Sequence, residues 1–105
     1  MSNLAPRPIL TIKINAEIQE LIPGFLDHRQ HDIQTLKCAM GTGNFDIIRT
    51  LGHRMRGDGG GYGFQMISTI GQTIEGAARD KNMPEIATQI EMLTDYLDRI
   101  EVVYE

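Results

Sequence analysis

Apolar residues recur every three or four positions along four segments of the chain, which is the spacing of one face of an α-helix. These segments occupy residues 25–40, 45–55, 67–78 and 86–100. Only short loops separate them, and short loops join helices that run in opposite directions. The pattern therefore predicts an all-α fold, specifically an antiparallel up-down four-helix bundle.

Residues that favour helix ends mark most of the predicted boundaries. Asn44 and Asn82 each precede an apolar segment, where an Asn side chain accepts a hydrogen bond from the first helical turn. Gly43 is expected to end the first long helix, because glycine adopts the left-handed conformation at little cost. Asn15 predicts the start of a short extra N-terminal helix, which Pro23 interrupts or bends.

The two ends of the chain give weaker signals. Residues 1–14 contain Pro6 and Pro8, followed by a partial alternation of apolar and polar residues that is typical of extended chain. A lone strand has no sheet to join, so we expect an extended N-terminal arm laid over the domain. Residues 15–105 are expected to form one helical domain, in which the last helix runs over residues 85–105 and has an acidic outer face.

Composition narrows the class of protein. A chain of 105 residues forms one core, and its single cysteine, Cys38, excludes an internal disulfide framework. The net charge of −4 argues against nucleic acid as a partner, and no apolar run is long enough to span a membrane. We therefore expect a cytoplasmic protein, and a monomer, because four helices close a bundle without a second copy.

Glycine is concentrated in one short stretch. Five of the 11 glycines fall within seven residues, at 57, 59, 60, 61 and 63. A phosphate-binding loop is the first hypothesis for such a stretch, but the spacing of a dinucleotide-binding loop is absent and no Gly-Lys-Ser/Thr follows. The simplest alternative is a flexible turn into which the second helix frays.

The residues just before the glycines point to a different chemistry. At helical spacing His53 points away from the apolar stripe, and Arg49 and Arg56 stand on its side within reach of the imidazole. Gly57 and Gly60 leave that face without side chains beyond the histidine. Guanidinium groups stabilise an anion on the ring nitrogen. The pattern is that of a phosphoryl acceptor, with a plain surface histidine as the alternative.

This stretch resembles the histidine-containing phosphotransfer (HPt) domain. The family signature is His-x-Leu/Met-Lys/Arg-Gly, with a second glycine ten places after the histidine and an apolar residue following it. The resemblance covers the chain from about residue 15 to its end. The matching residues are His53, Met55, Arg56, Gly57, Gly63 and Phe64.

The resemblance implies a role in multistep His-Asp phosphorelays, in which the domain carries a phosphoryl group between receiver domains of response regulators or hybrid histidine kinases. It implies that His53 is the phosphorylated nucleophile and that Arg56 neutralises phosphoryl charge. Gly57 would leave room for the receiver, and Gly63 would allow close packing at the turn. The chain would need no cofactor of its own, because the receiver brings Mg²⁺, and it would be a carrier rather than an enzyme with turnover.

One position departs from the family pattern. The residue after Gly57 is commonly Ser or Ala in the family, whereas here it is Asp58. A carboxylate near the histidine would weaken phosphate stabilisation, although on a regular helix residue 58 lies away from the histidine's face. A helical adaptor that binds a receiver or kinase without taking phosphate is therefore the alternative function.

Two other features have weaker functional interpretations. His28 and His31 share a spacing that suits a metal ion, but no third ligand is evident nearby, so a solvated helix face is the simpler interpretation. Cys38 is expected to be buried or half-buried, and no histidine is placed to activate it.

Overall fold

The computed structural model describes residues 7–105, and residues 1–6 of the predicted arm lie outside this range. The described chain is mostly helical and contains four α-helices, which confirms an all-α fold in outline. Two short strands are also present. In chain order the elements are strand β1 (Leu10–Ile14), a 3₁₀-helix (Ala16–Leu21), α1 (Ile22–Thr42), α2 (Phe45–Gly61), α3 (Gln65–Arg79), α4 (Met83–Arg99) and strand β2 (Ile100–Tyr104).

The predicted helix caps are confirmed. The Asn44 side chain accepts a hydrogen bond from the Ile47 amide at 3.2 Å, and the Asn82 side chain accepts one from the Glu85 amide at 3.2 Å. Gly43 ends α1 with a φ of 66°, in the left-handed region that favours glycine. These caps satisfy amides and carbonyls that a helix leaves without partners at its ends.

The ends of the chain differ from the sequence prediction. The last helix ends at Arg99 rather than continuing to residue 105, and β2 then pairs with β1 in parallel, with Leu10 opposite Ile100 and Ile14 opposite Tyr104. Strand β1 alternates apolar and polar residues, and both strands contain β-branched side chains, which favour extended chain. The described part of the arm therefore does have a sheet to join, because the end of the chain supplies the second strand.

One apolar core lies between the four helices. Each of α1 and α3 contacts both α2 and α4, and Ile14 of β1 also joins the core. Most core positions are the apolar residues of the sequence pattern, and Phe64 joins them from the turn between α2 and α3. The largest fully buried side chains are Phe64, Ile22, Leu36, Ile48, Met55, Ile67, Ile70, Ile74, Ile86 and Leu93.

The glycine-rich stretch is helical, contrary to the expectation that α2 frays into it. Helix α2 continues through Gly57 and ends only at Gly61. Glycine in a helix interior costs roughly 1 kcal/mol relative to alanine, so contacts with other elements must hold this segment. The Ser68 hydroxyl of α3 supplies two of them, because it donates to the carbonyl of Arg56 at 2.9 Å and accepts from the Gly60 amide at 2.7 Å.

Three buried glycines let the backbones of α2 and α3 approach closely. A Cβ at Gly52 would lie 2.7 Å from the amide nitrogen of Glu75, and one at Gly71 would lie 2.7 Å from the carbonyl oxygen of Gly52. At Gly59 a Cβ would lie 2.5 Å from the amide nitrogen of Ser68. Any side chain at these positions would push the helices apart, so the glycines set the distance between the two helices.

Two further observations concern the surface. Cys38 is exposed, contrary to the expectation of burial, because the inward positions of this turn of α1 are taken by Leu36 and Ala39. Among the described residues, none of the helices combines the length and the apolar character that crossing a membrane would require.

Candidate functional site

His53 stands on the outer surface of α2. The side chain is 63% exposed, whereas Leu51, Gly52 and Met55 around it in sequence face the core. This follows from the helical periodicity, which turns position 53 away from the apolar stripe. The imidazole is therefore accessible to a partner molecule, and its neighbours are polar side chains of α2 and α3.

A buried carboxylate on α3 fixes the orientation of the imidazole ring. Oε2 of Glu75 lies 3.0 Å from Nδ1 of His53, and the Glu75 side chain is only 10% exposed. Two lone pairs at this distance would repel each other, so we assign the proton of the neutral ring to Nδ1, which then donates a hydrogen bond to the Glu75 carboxylate. In the neutral ring this leaves the lone pair on Nε2, the nitrogen that is not bonded to Glu75.

Two arginines compensate the charge of this buried carboxylate. Nη1 of Arg56 lies 3.3 Å from Oε1 of Glu75, and Nη2 of Arg79 lies 3.8 Å from Oε2. A carboxylate taken out of water needs such partners, because burial otherwise disfavours its charged form. Arg56 also approaches the ring itself, with Nη2 at 3.2 Å from Nδ1 of His53. One guanidinium thus contacts both members of the His53–Glu75 pair.

A shallow cavity adjoins the imidazole. It has a volume of about 290 Å³ and is lined by Arg49, Thr50, His53 and Glu75. Arg49 is exposed on the turn of α2 before the histidine. The structure therefore brings together three residues that the sequence proposed for phosphate chemistry, His53, Arg49 and Arg56, with Arg49 and Arg56 on either side of the ring along the helix.

The two glycines predicted for docking, Gly57 and Gly60, and the predicted turn residue Gly63 have different surroundings. Gly57 is exposed, and a Cβ there would meet no atom within 4 Å, so the surface one turn after His53 is clear. At Gly60, a Cβ would lie 3.2 Å from Oε1 of Gln65, which directs this position toward α3. Gly63 lies in the turn with a φ of 93°, and a Cβ there would lie 2.5 Å from Cδ1 of Ile14.

Asp58 is directed toward α1. Its Oδ2 lies 3.8 Å from Nη1 of Arg29, a buried guanidinium that also lies 2.9 Å from Oδ2 of Asp32. Burial raises the pKa of the Asp32 carboxyl, and this outweighs the lowering effect of the nearby Arg29 and Arg54. The carboxylate of Asp58 thus belongs to a charged cluster between α1 and α2.

The two histidines on α1 remain separate from this chemistry. Nδ1 of His31 lies 3.0 Å from the backbone carbonyl oxygen of Asp27, and His28 is exposed. Within residues 7–105 no group of three or more His, Cys, Asp or Glu side chains is placed to hold a metal ion.

Sequence reasoning missed Glu75 and Arg79. A signal for Glu75 exists in the pattern, because it occupies an inward position of α3 between the buried residues Ile74 and Ala78. A charged residue on an apolar face needs a partner. The identity of that partner depends on how α2 packs against α3, which the sequence pattern does not specify.

The chain matches no family model, no curated protein and no solved structure. The functional evidence is thus the geometry itself. An exposed imidazole is oriented by a buried carboxylate, flanked by guanidinium groups and followed one turn later by the clear surface at Gly57.

Proposed function

We propose that this protein is a histidine phosphotransfer protein, built as an antiparallel four-helix bundle, and an intermediate in a multistep His-Asp phosphorelay. His53 accepts a phosphoryl group from the aspartyl phosphate of one receiver domain and passes it to the aspartate of another. One observation carries the proposal: Nδ1 of the exposed His53 ring is held 3.0 Å from the buried Glu75 carboxylate. The resemblance of residues 53–64 to the HPt signature supports it.

The tautomer supported by Glu75 suits nucleophilic attack. The Nε2 lone pair forms the N–P bond as the P–O bond to the receiver aspartate breaks, and the electron pair of that bond leaves on the aspartate carboxylate. No proton moves in this step, because Nδ1 keeps its proton on Glu75. The phosphorylated ring carries a positive charge, which the adjacent carboxylate stabilises. Return to a receiver aspartate reverses the same steps.

The arginines and Gly57 serve the phosphoryl group and its donor. Phosphoryl transfer depends mainly on positioning and charge stabilisation. Arg56 and Arg49 would neutralise the phosphoryl oxygens on either side of the ring, since a guanidinium offers a fork of donors. The clear surface at Gly57 admits the loops of the receiver's active site.

In this proposal the receiver supplies the metal ion. Mg²⁺ and the acidic pocket that binds it come from the receiver, and this protein contributes the nucleophile, so it acts as a carrier without independent turnover. We propose a cytoplasmic monomer as the acting form. Partners are receiver domains of response regulators or hybrid histidine kinases, with no role for nucleic acid or membrane.

Phosphotransfer from a labelled receiver tests the proposal. The protein is incubated with a phosphorylated receiver domain and Mg²⁺, beside His53→Gln and the matched control His31→Gln, whose side chain is 75% exposed on α1. We expect acid-labile label on the wild type and on His31→Gln, and none on His53→Gln. Acid-stable label, or equal label on all three proteins, would contradict the proposal. Receiver binding without transfer to any form would support the adaptor function instead.

A further inference from the structure

Within residues 7–105, one edge of strand β2 has backbone groups without a hydrogen-bond partner. The Glu105 amide donates to the carbonyl of Ile14, and the Glu105 carbonyl accepts from the amide of Ala16, each at 3.0 Å. In a parallel pair, alternate residues of a strand direct their N–H and C=O groups to opposite sides. Val102 and Tyr104 therefore direct theirs away from β1, and no strand of residues 7–105 pairs on that side. Such an edge is a template for another strand.

An apolar groove runs beside this free edge. Its volume is about 510 Å³, and it lies between the inner face of β2 and the N-terminal part of α1. The inward side chains of a strand added to β2 would lie in this groove, because side chains on one face of a sheet are neighbours across strands. The apolar residues that line it include Ile22, Leu26, Leu97, Ile100, Val102 and Tyr104.

The first described residues of the arm lie elsewhere. Arg7 makes ion pairs with Asp95 and Asp98, and the Pro8 carbonyl accepts a hydrogen bond from Arg99. Asp95, Asp98 and Arg99 lie on the side of α4 opposite Leu97, and Leu97 faces the groove. Arg7 and Pro8, which precede β1, thus contact α4, and of the chain from residue 7 onward no segment of the arm enters the groove.

The outer face of β2 indicates which segment fits. Glu101 and Glu105 are exposed on this face, on either side of the exposed Val103. Residues 85–105 hold six acids and one base, Arg99, whose Nε lies 3.0 Å from Oδ2 of Asp95. The strand already paired with β2 has the complementary pattern. Its inward residues are apolar, and Lys13 lies on the outer face, in the register between the two glutamates. Opposite charges on neighbouring strands stabilise a sheet.

We propose that the free edge of β2 binds an extended segment of a partner protein in which apolar residues alternate with Lys or Arg. The backbone of that segment completes the hydrogen bonds of Val102 and Tyr104. Its apolar side chains fill the groove, and its basic side chains lie beside Glu101 and Glu105. This docking site is separate from His53 and does not depend on the phosphotransfer function.

A peptide of alternating lysine and valine, blocked at both ends, tests the proposal by amide hydrogen exchange resolved by NMR. We expect exchange at Val102 and Tyr104 to slow at least tenfold at saturating peptide. The Val103 amide faces β1 and serves as the internal control, with unchanged exchange. A peptide with the same residues in two blocks, and one with glutamate in place of lysine, are expected to bind at least tenfold more weakly.

Two variants separate the backbone and charge contributions. Val102→Pro removes a backbone donor that the pairing with β1 does not use. In this variant the peptide should no longer slow amide exchange at Tyr104. The surface double variant Glu101→Lys/Glu105→Lys leaves the apolar side chains in place and should weaken binding at least tenfold at low salt.

The proposal is wrong if saturating peptide leaves Val102 and Tyr104 unprotected, if protection appears at Thr11 and Lys13 instead, or if the glutamate peptide binds equally well. Protection without peptide that rises with protein concentration would assign the edge to a second copy of the chain and also overturn it.

Discussion

Glu75 and His53 form a hydrogen bond of 3.0 Å between a buried carboxylate on α3 and an exposed imidazole on α2. The two positions come together because Gly52, next to the histidine, and Gly71, one turn before the glutamate, bring the two backbones into contact. The orientation of the ring thus depends on helix packing as well as on the residues of α2.

Replacing Glu75 with glutamine should slow phosphotransfer without unfolding the protein. The amide lacks the charge that stabilises the phosphorylated ring, and a hydrogen bond to a charged group is worth about 1.5–3 kcal/mol. We expect a transfer rate about tenfold to a hundredfold lower. The rate of label transfer from a phosphorylated receiver measures this, with Glu91→Gln on the exposed surface of α4 as the matched control. Equal rates for the two variants would remove Glu75 from the mechanism.

The two arginines beside the imidazole should contribute unequally. Arg56 lies within 3.3 Å of both His53 and Glu75, whereas Arg49 lines the adjacent cavity. Arg56→Ala is expected to slow transfer about tenfold, because it removes a charge-assisted contact with Glu75 beside the ring. Arg49→Ala is expected to slow transfer about twofold to threefold. Helix content by circular dichroism should stay the same in both. A larger effect for Arg49→Ala would reverse the assignment.

The predictability of this molecule varies with the range of the interactions. Helix caps at Asn44 and Asn82 were predictable because they depend on neighbouring residues. The pairing of β1 with β2 was not, because it joins residues 90 positions apart, such as Leu10 and Ile100, and neither strand is stable alone. For the same reason His53 was identified from its own turn, whereas Glu75 became visible only when α3 was packed against α2.

The helix contact beneath the site predicts opposite effects of alanine at two glycines. At Gly52 the added Cβ would lie 2.7 Å from the backbone of Glu75, so Gly52→Ala should reduce the free energy of unfolding by about 1–3 kcal/mol. At Gly57 an added Cβ would meet no atom within 4 Å. Alanine there should raise the free energy of unfolding by about 0.5–1 kcal/mol, because alanine favours the helix more than glycine does. Urea unfolding measures both. A stabilising Gly52→Ala would show that the helices separate easily.

The buried Asp32 should give stability an unusual dependence on pH. Its pKa is raised from 3.8 by burial, so in the window from 3.8 up to the raised value the folded state binds more protons than the unfolded chain. The contribution of Asp32 to stability is therefore largest at low pH and falls as pH rises through that window.

Urea unfolding of the wild type and of Asp32→Asn across this window isolates the effect. Asparagine keeps a carbonyl oxygen that can accept a hydrogen bond from Arg29, which lies 2.9 Å from Asp32, but it cannot ionise. The free energy of unfolding of the wild type minus that of the variant should therefore fall as pH rises through the window, because burial disfavours the ionised carboxylate. A difference that grows with pH would mean that the pairing with Arg29 outweighs burial.

The clear surface after His53 can be tested with side chains that the helix itself tolerates. Gly57 and Gly61 both have open space around the Cβ position, and they lie about 6 Å and 12 Å along the helix axis from His53. Glutamine at Gly57 should stabilise α2 by about 0.5–1 kcal/mol, because it replaces a glycine inside the helix, and glutamine at Gly61, the last helical residue, should stabilise it less. Only Gly57→Gln places a side chain one turn from the imidazole, where a receiver must approach. It should therefore slow phosphotransfer about tenfold or more, whereas Gly61→Gln should change the rate less than twofold. Parallel measurement of unfolding and label transfer separates the two effects. Equal transfer rates for both variants would show that the open surface at Gly57 is not used for docking.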